Sequence, residues 1–432
     1  MNITVQPSEI NGTIPAPCSK SVAQRVFAAS LLSGGETVVS GHTESDDSLA
    51  ALEIIKTLGA EVNFNAQSHS LTIKGNPPSP TLKVVKLDLN CGESGLSSRL
   101  FAPLSLLYSG DVTLNGRGSL LKRPFSGLMK QPFEQMGVKY SDNNGNLPLN
   151  LQGQLSAREI VVDGSESSQF LSGILMTLPL LSDDSVVKVR SLMSKPYIDI
   201  TVNVASKFGV EIENDGYNVF RIKGKQHYRC DSFNIEGDWS GASCLLVAGA
   251  IAGTVEITNL DFQSNQADKF IAEILQFVGA DVEIKPSSVK VSRNELNPFV
   301  FDASNSPDLF PALVALAANC DGVSHIKGVE RLLSKESNRA KTLQSEFGKI
   351  GVKIELRDDF MVIEGSTTKI GLKNVTINSH NDHRIAMSAA VGAVGLLDSG
   401  SKIIIENAGC VNKSYPGFWN DFETLRCYKQ GN

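Results

Sequence analysis

One phrase recurs five times along these 432 residues and restricts the fold more than any other feature: LGAEVNF from Leu58, MGVKYSD from Met136, FGVEIEN from Phe208, VGADVEI from Val278 and IGVKIEL from Ile350. The shared glycines Gly59, Gly137, Gly209, Gly279 and Gly351 stand 78, 72, 70 and 72 residues apart. A fixed period marks tandem supersecondary units. Each glycine follows an amphipathic helical pattern, such as AALEIIKTLGA or FIAEILQFVGA, and precedes alternating apolar and polar residues. It therefore reads as a helix C-terminal cap leading into a hairpin. The turn sequences DNNGN, ENDGY and RDDF follow. A period of 72 predicts six units in 432 residues, of which five carry a hairpin. The sixth helix, PGFWNDFETL, lies near the end of the sequence, and its missing strands are expected from MNITVQPS, which would tie both chain ends into one domain.

Every unit also holds an earlier helix with a polar start and a small, apolar body: CSKSVAQRVFAASLL, GESGLSSRLFAPLSLL, SESSQFLSGILMTLPLL, GDWSGASCLLVAGAIAG, SPDLFPALVALAAN and NDHRIAMSAAVGAVG. A helix apolar on nearly every side has to be buried. Its start still presents unpaired backbone N–H groups and a partial positive charge, the ingredients of an anion site. Simple N-caps on core helices account for any one of these starts, but not for the recurrence of Lys, Arg, Gln and His there. Six such ends aimed at one cleft would bind phosphates and carboxylates.

Composition narrows the classes. The length exceeds the ~250–300 residues at which single cores stop growing, so two domains are expected. The net charge of −6 argues against a nucleic-acid partner, whose phosphates call for a basic surface. Any anion site must therefore be local. Apolar runs such as LFAPLSLLYSG and CLLVAGAIAG are too short to span a bilayer, and MNITVQPSEI lacks a basic segment followed by an apolar one, so no membrane partner and a cytoplasmic location are expected. The seven cysteines are scattered without CxxC spacing and read as reduced and mostly structural.

The phrases KSVAQR (Lys20 to Arg25), GSESSQF (Gly164 to Phe170), SKPYIDIT (Ser194 to Thr201), EGDWSGAS, SPDL, KESNR (Lys335 to Arg339), NDHR (Asn381 to Arg384) and NKSYPGF run the length of the chain. In this order they resemble the 5-enolpyruvylshikimate-3-phosphate synthase family. The resemblance implies an α/β enolpyruvyl transferase fold of two domains, each of three βαβαββ repeats with buried helices, with the active site in the inter-domain cleft. One domain would run over 18–236; the other would combine 1–17 with 237–432. It also implies a transferase of the shikimate pathway that moves the enolpyruvyl group of phosphoenolpyruvate to the 5-hydroxyl of shikimate-3-phosphate and releases phosphate. The implied partners are these two small molecules, with no cofactor, no metal and a monomeric chain.

Position by position, the resemblance implies that Lys20, Ser21, Arg25, Ser167, Ser168, Gln169, Ser194, Asp308 and Lys335 hold shikimate-3-phosphate. Short hydroxyls near a helix start suit a phosphate, which accepts several hydrogen bonds. For phosphoenolpyruvate it implies Lys20, Gly95, Arg123, Gln169, Arg339, Arg384 and Lys413. Two anionic groups on one small frame call for several cations, preferably planar guanidinium forks, and Gly95 lets backbone approach closely. The same resemblance makes Asp308 the base at the 5-hydroxyl and Glu336 the group that moves the methylene proton. Lys20 either protonates the leaving phosphate or neutralises its charge. Lys195 and Tyr197 lie beside Ser194, where Lys195 reads equally as a further contact or a surface charge, and His383 reads as a structural or cap residue.

The stretch GESGLSSRL departs from the family form GNAGTAMRP, among other positions at Glu93, Leu96 and Leu100, while keeping Gly95 and Arg99. Leu96 removes a hydroxyl beside the expected phosphoenolpyruvate pocket, where glyphosate binds in this family. Weakened inhibition is therefore expected, with a gain on Leu96→Thr. Arg331 stands where some members carry Asn. Two rivals remain open: transfer of the same group to UDP-N-acetylglucosamine, although the loop GRGSLLKRP lacks that family's cysteine, and a noncatalytic binder of phosphorylated metabolites.

Overall fold

All five repeated glycines end a helix with φ between +81° and +107°, a region that side chains disfavour. In the computed structural model, which describes residues 1–42, 44–79, 85–156, 158–372 and 374–427, each closes the same pair of capping bonds. Gly59 N–H donates to the Lys56 carbonyl and Ala60 N–H to that of Ile55, and the pattern repeats at Gly137, Gly209, Gly279 and Gly351. This is the Schellman motif. The expected hairpins follow: Glu61–Asn65 with Ser70–Lys74, Lys139–Asn143 with Asn146–Gln152, Ile212–Asp215 with Val219–Ile222, Asp281–Lys285 with Ser288–Ser292, and Lys353–Arg357 with Phe360–Gly365.

The cost of removing these glycines depends on what surrounds them. At Gly279 an added Cβ would sit 2.6 Å from the Glu295 carbonyl oxygen, whereas at Gly351 it meets the end of the Ile370 side chain at 2.9 Å, which can move. Both variants incur the ~1–2 kcal/mol of left-handed backbone. Urea unfolding is expected to find Gly279→Ala about 1–2 kcal/mol less stable than Gly351→Ala, the range typical of overpacking; equal midpoints would contradict this.

One repeat shows how a unit is built. Leu87–Asn90 runs parallel to Asp111–Asn115, with the helix Gly95–Ser105 as the crossover. The helix Ser126–Gln135 then leads into a hairpin whose return strand, Asn146–Gln152, pairs antiparallel with Asp111–Asn115. Six sheets of this kind form among the described residues. Asn2–Val5 completes the last by pairing antiparallel with Ile403–Glu406, where other units use a hairpin strand.

The chain forms two compact units, Cys18–Ile235 and Met1–Pro17 with everything from Glu236 onward. Glu236 falls in the second because its carboxylate accepts from Ser264 Oγ (2.7 Å) and Gln266 Nε2 (2.9 Å). The two chain crossings exchange leading strands. Glu9–Pro15, which precedes the helix Lys20–Leu32 in sequence, pairs parallel with Gly253–Thr258 within the unit that holds both chain ends. Ser232–Asn234, which precedes the helix Trp239–Ala252, pairs parallel with Glu36–Ser40.

Each unit has its own apolar core, and the six small-residue helices occupy it. Every residue of Trp239–Ala252, Phe310–Ala318 and His383–Leu396 is buried. In Gly95–Ser105 the exception is Arg99, in Gln169–Thr177 it is Gln169, and in Lys20–Leu32 the exceptions are Lys20 and Ser21. The residues that escape burial are thus the polar ones at or near helix starts.

Candidate active site

Within Cys18–Ile235 the helices Lys20–Leu32 and Gly95–Ser105 start on serine caps. Ser19 Oγ accepts from Val22 N–H and Ser94 Oγ from Ser97 N–H, so the caps themselves bring no carboxylate to the positive ends of these helices. Gly95 opens its helix beside three polar side chains. A Cβ there would lie 2.8 Å from an Arg123 terminal nitrogen, 3.2 Å from one of Arg99 and 3.7 Å from Gln169 Oε1. Only glycine lets the three converge. Gly173 similarly lacks the Cβ that would strike the Arg99 and Leu100 carbonyls, so the helices of Gly95 and Gln169 pack closely. Burial, reinforced by neighbouring Arg123, lowers the Arg99 guanidinium to about 10. Cations crowded in this way favour an anion between them.

Arg25 is fully buried. Its four hydrogen bonds go to Thr201 Oγ1 (2.8 Å), the Ser21 carbonyl (2.7 Å), Ser172 Oγ (3.1 Å) and the Tyr197 carbonyl (3.2 Å), all neutral acceptors. Burial lowers it to about 10. Lys20, by contrast, donates to Asp47 Oδ2 at 2.9 Å. The loop carrying Ser167 and Ser168 is held by Gly164, whose carbonyl accepts from Met193 N–H (3.1 Å) and whose N–H donates to Arg190 (2.8 Å). That tie runs it back to Ser194, which adopts φ +57° at the start of the helix Lys195–Lys207. A left-handed non-glycine costs ~1–3 kcal/mol and is concentrated at ligand sites.

In the other unit the starts of the three buried helices carry carboxylates at or beside the cap. Asp238 Oδ1 accepts from Gly241 N–H (2.8 Å), Asp382 Oδ1 from Arg384 N–H (3.1 Å), and Asp308 directly precedes the residue that caps Phe310–Ala318. Asp308 gathers three cations: Lys335 Nζ (3.3 Å) and Arg339 (3.1 Å) on Oδ1, and Arg384 (3.3 Å) on Oδ2. Burial opposes its charge, but Arg384, Lys335 and Arg339 outweigh burial and hold Asp308 well below the usual carboxylate range. Burial moves Lys335 the other way, downward, against the pull of Asp308. Arg339 has no exposed surface and also grips Glu336 (2.6 Å) and both oxygens of Asp382 (3.0 and 3.2 Å). Its burial is more than offset by Asp382, Glu336 and Asp308, which raise its proton affinity. Buried Lys413 donates to the Asn381 carbonyl at 2.7 Å.

The expected residues divide between the two units. Lys20, Ser21, Arg25, Gly95, Arg123, Ser167, Ser168, Gln169 and Ser194 belong to one unit, and Asp308, Lys335, Glu336, Arg339, Arg384 and Lys413 to the other. His383 is buried, and the cap at its helix is Asp382. Exposed Lys195 lies over the Tyr217 ring at 5.3 Å. Asp47, Asp382 and Gln24, which accepts from Ser94 and Ser97 hydroxyls, went unnoticed in the sequence; the acidic residue inside NDHR was the one available signal. Glu93 accepts from the backbone and hydroxyl of Ser119, which in turn accepts from Arg123 (3.3 Å), so this departure pins the Arg123 loop. Leu96 is buried in the core. Among the described residues no group of three or more His, Cys, Asp or Glu is arranged to hold a metal ion, and no helix is long and apolar enough to cross a membrane.

Known proteins resemble the chain over nearly its whole length. The sequence profile of the family described as EPSP synthase (3-phosphoshikimate 1-carboxyvinyltransferase) matches residues 4–422. The 3-phosphoshikimate 1-carboxyvinyltransferases of Clostridium perfringens and Clostridium novyi are 39% and 38% identical, covering 98% of this chain and 98% and 97% of theirs. Among solved structures, EPSP synthase from Acinetobacter baumannii superposes with a TM-score of 0.78 at 24% identity over 98% of both chains. The enolpyruvyl transferase NikO from Streptomyces tendae gives 0.75 at 15% identity over 98% of this chain and 96% of its own.

Proposed function

The chain belongs to the EPSP synthase family, and on that premise we propose that its two polar clusters act on one pair of substrates. Its activity is transfer of the enolpyruvyl group of phosphoenolpyruvate to shikimate-3-phosphate, in the shikimate pathway of aromatic amino acid biosynthesis. The observation that carries the assignment of roles is the meeting of Lys335, Arg339 and Arg384 on the single carboxylate Asp308.

In this reading Ser21, Arg25, Ser167, Ser168 and Ser194 hold shikimate-3-phosphate, its phosphate resting on the hydroxyls near the helix start of Gln169. Lys20 and Gln169 serve both substrates, while Arg123, Arg339, Arg384, Lys413 and the Gly95 backbone hold phosphoenolpyruvate. Asp308 takes the proton of the 5-hydroxyl, Lys335 orients it, and Glu336 delivers a proton to the methylene carbon. Asp308 is a weak base while three cations surround it. Once the phosphate and carboxylate of phosphoenolpyruvate occupy Arg384 and Arg339, that restraint falls and Asp308 gains basicity. Deprotonation is thereby tied to the presence of both substrates, and the same cations hold the tetrahedral adduct before phosphate leaves. We place the enzyme in the cytoplasm as a monomer, its scattered cysteines in keeping with a reducing compartment.

Phosphate release from phosphoenolpyruvate tests the acceptor. Release is expected with shikimate-3-phosphate and not with UDP-N-acetylglucosamine; release with the sugar nucleotide alone would reverse the assignment, and release with neither would favour a binder.

A further inference from the structure

A buried carboxyl group lies one residue removed from the Asp308 cluster and takes no part in the chemistry above. Asp268, on the short turn Ala267–Lys269, is 1% exposed. Its Oδ2 accepts from Ser240 Oγ, and its Oδ1 has no hydrogen-bond partner. Ser240 stands in the first turn of Trp239–Ala252, and its carbonyl accepts from Arg384 at 3.2 Å. The other terminal nitrogen of Arg384 donates to Asp308 at 3.3 Å. Four residues from four segments thus form one path, Asp268 to Ser240 to Arg384 to Asp308. The charged groups acting on Asp268 are Asp308, Arg384 and Asp238.

Resting on the reading that Arg384 holds phosphoenolpyruvate, we propose that Asp268 is a positioning residue whose proton sets the charge around Arg384. Phosphoenolpyruvate is gripped tightly while Asp268 is neutral and less tightly once it is ionised. The physical basis is burial without a full set of hydrogen bonds, which disfavours the charged form. Burial and Asp308, opposed by Arg384 and the Ser240 hydroxyl, push the Asp268 carboxyl up to about 7. Below that pH the group is neutral and two carboxylates, Asp308 and Asp238, accompany Arg384. Above it a third negative charge joins them beside a guanidinium that has to attract an anion. Ordinary carboxylates ionise near 4 and would show no such change at neutral pH.

The KM for phosphoenolpyruvate at saturating shikimate-3-phosphate, measured from about pH 6.5 to 9, lies above the second phosphate ionisation near 6. In the unmodified enzyme it is expected to rise about three- to tenfold across this range, as a charge added near a partly buried cation would require. In Asp268→Asn the rise should disappear. In Ser240→Ala, which removes a hydrogen bond that favours the ionised carboxylate, the rise should move to higher pH. A rise that persists unchanged in Asp268→Asn overturns the proposal, as does a Ser240→Ala profile with its midpoint unmoved. Should Asp268→Asn fail to fold, the Ser240→Ala midpoint decides. Arg384→Lys separates the two levels. An unchanged KM there defeats the assignment of Arg384 to phosphoenolpyruvate, whereas a large rise there with no Asp268 effect defeats the present proposal alone.

Discussion

Asp308→Asn is expected to lower kcat by about 10²–10⁴-fold, the usual range for losing a positioned acid or base. The amide keeps the shape of the carboxylate and part of its hydrogen bonding to Lys335, Arg339 and Arg384. It cannot accept the hydroxyl proton. Single-turnover measurement with both substrates reads the chemical step directly, and unchanged turnover would remove Asp308 as the base. The variant also has a signature in stability. Because the folded environment holds Asp308 below its ordinary value, its carboxylate stabilises the native state at any pH above the unfolded value near 4. That contribution is lost only as pH falls through the lower, folded value. The unmodified enzyme should therefore lose thermal stability on acidification below about pH 4, and Asp308→Asn should show a shallower loss there. Equal slopes in that window would contradict the pairing.

Arg339→Leu is expected to be the most damaging single substitution for stability, at about 3–5 kcal/mol. Arg339 is 0% exposed, as is Asp382, and removal of the guanidinium strands the Asp382 carboxylate in the interior. For a cooperative unit of this size the loss corresponds to roughly 10 °C in Tm. Arg339→Lys should recover part of the loss, since it restores a charge but not the fork that spans both oxygens of Asp382. A Tm within about 2 °C of the unmodified protein for Arg339→Leu would show that Asp382 finds another partner. In the kinetics the same variant should raise the KM for phosphoenolpyruvate, because Asp308 would then keep Arg384 and Lys335 but the anion would lose one of the guanidinium groups assigned to it.

What could be read from the sequence was local. The five Gly caps announce themselves because a left-handed residue after an amphipathic helix is a property of a few consecutive positions. The six core helices do so because apolar residues on every side leave no surface to face water. The motif-bearing residues Lys20, Ser168, Gln169 and Arg384 fall at helix starts for the same local reason. Tertiary structure alone decided which charges meet. Arg25 is satisfied by Ser172 and Thr201, 147 and 176 residues away. Arg339 is enclosed by Asp382, 43 residues on. Asp268 reaches Arg384 only through Ser240. Glu9–Pro15 and Ser232–Asn234 exchange sheets, a choice that depends on where each chain crossing lies and not on the pattern of either strand. Backbone conformation and burial follow from neighbours in sequence, so the repeats and their buried helices were determined by the chain itself. Proton affinity and ion pairing follow from neighbours in space, so the state of Asp308, Arg339 and Asp268 was fixed only when distant segments packed together.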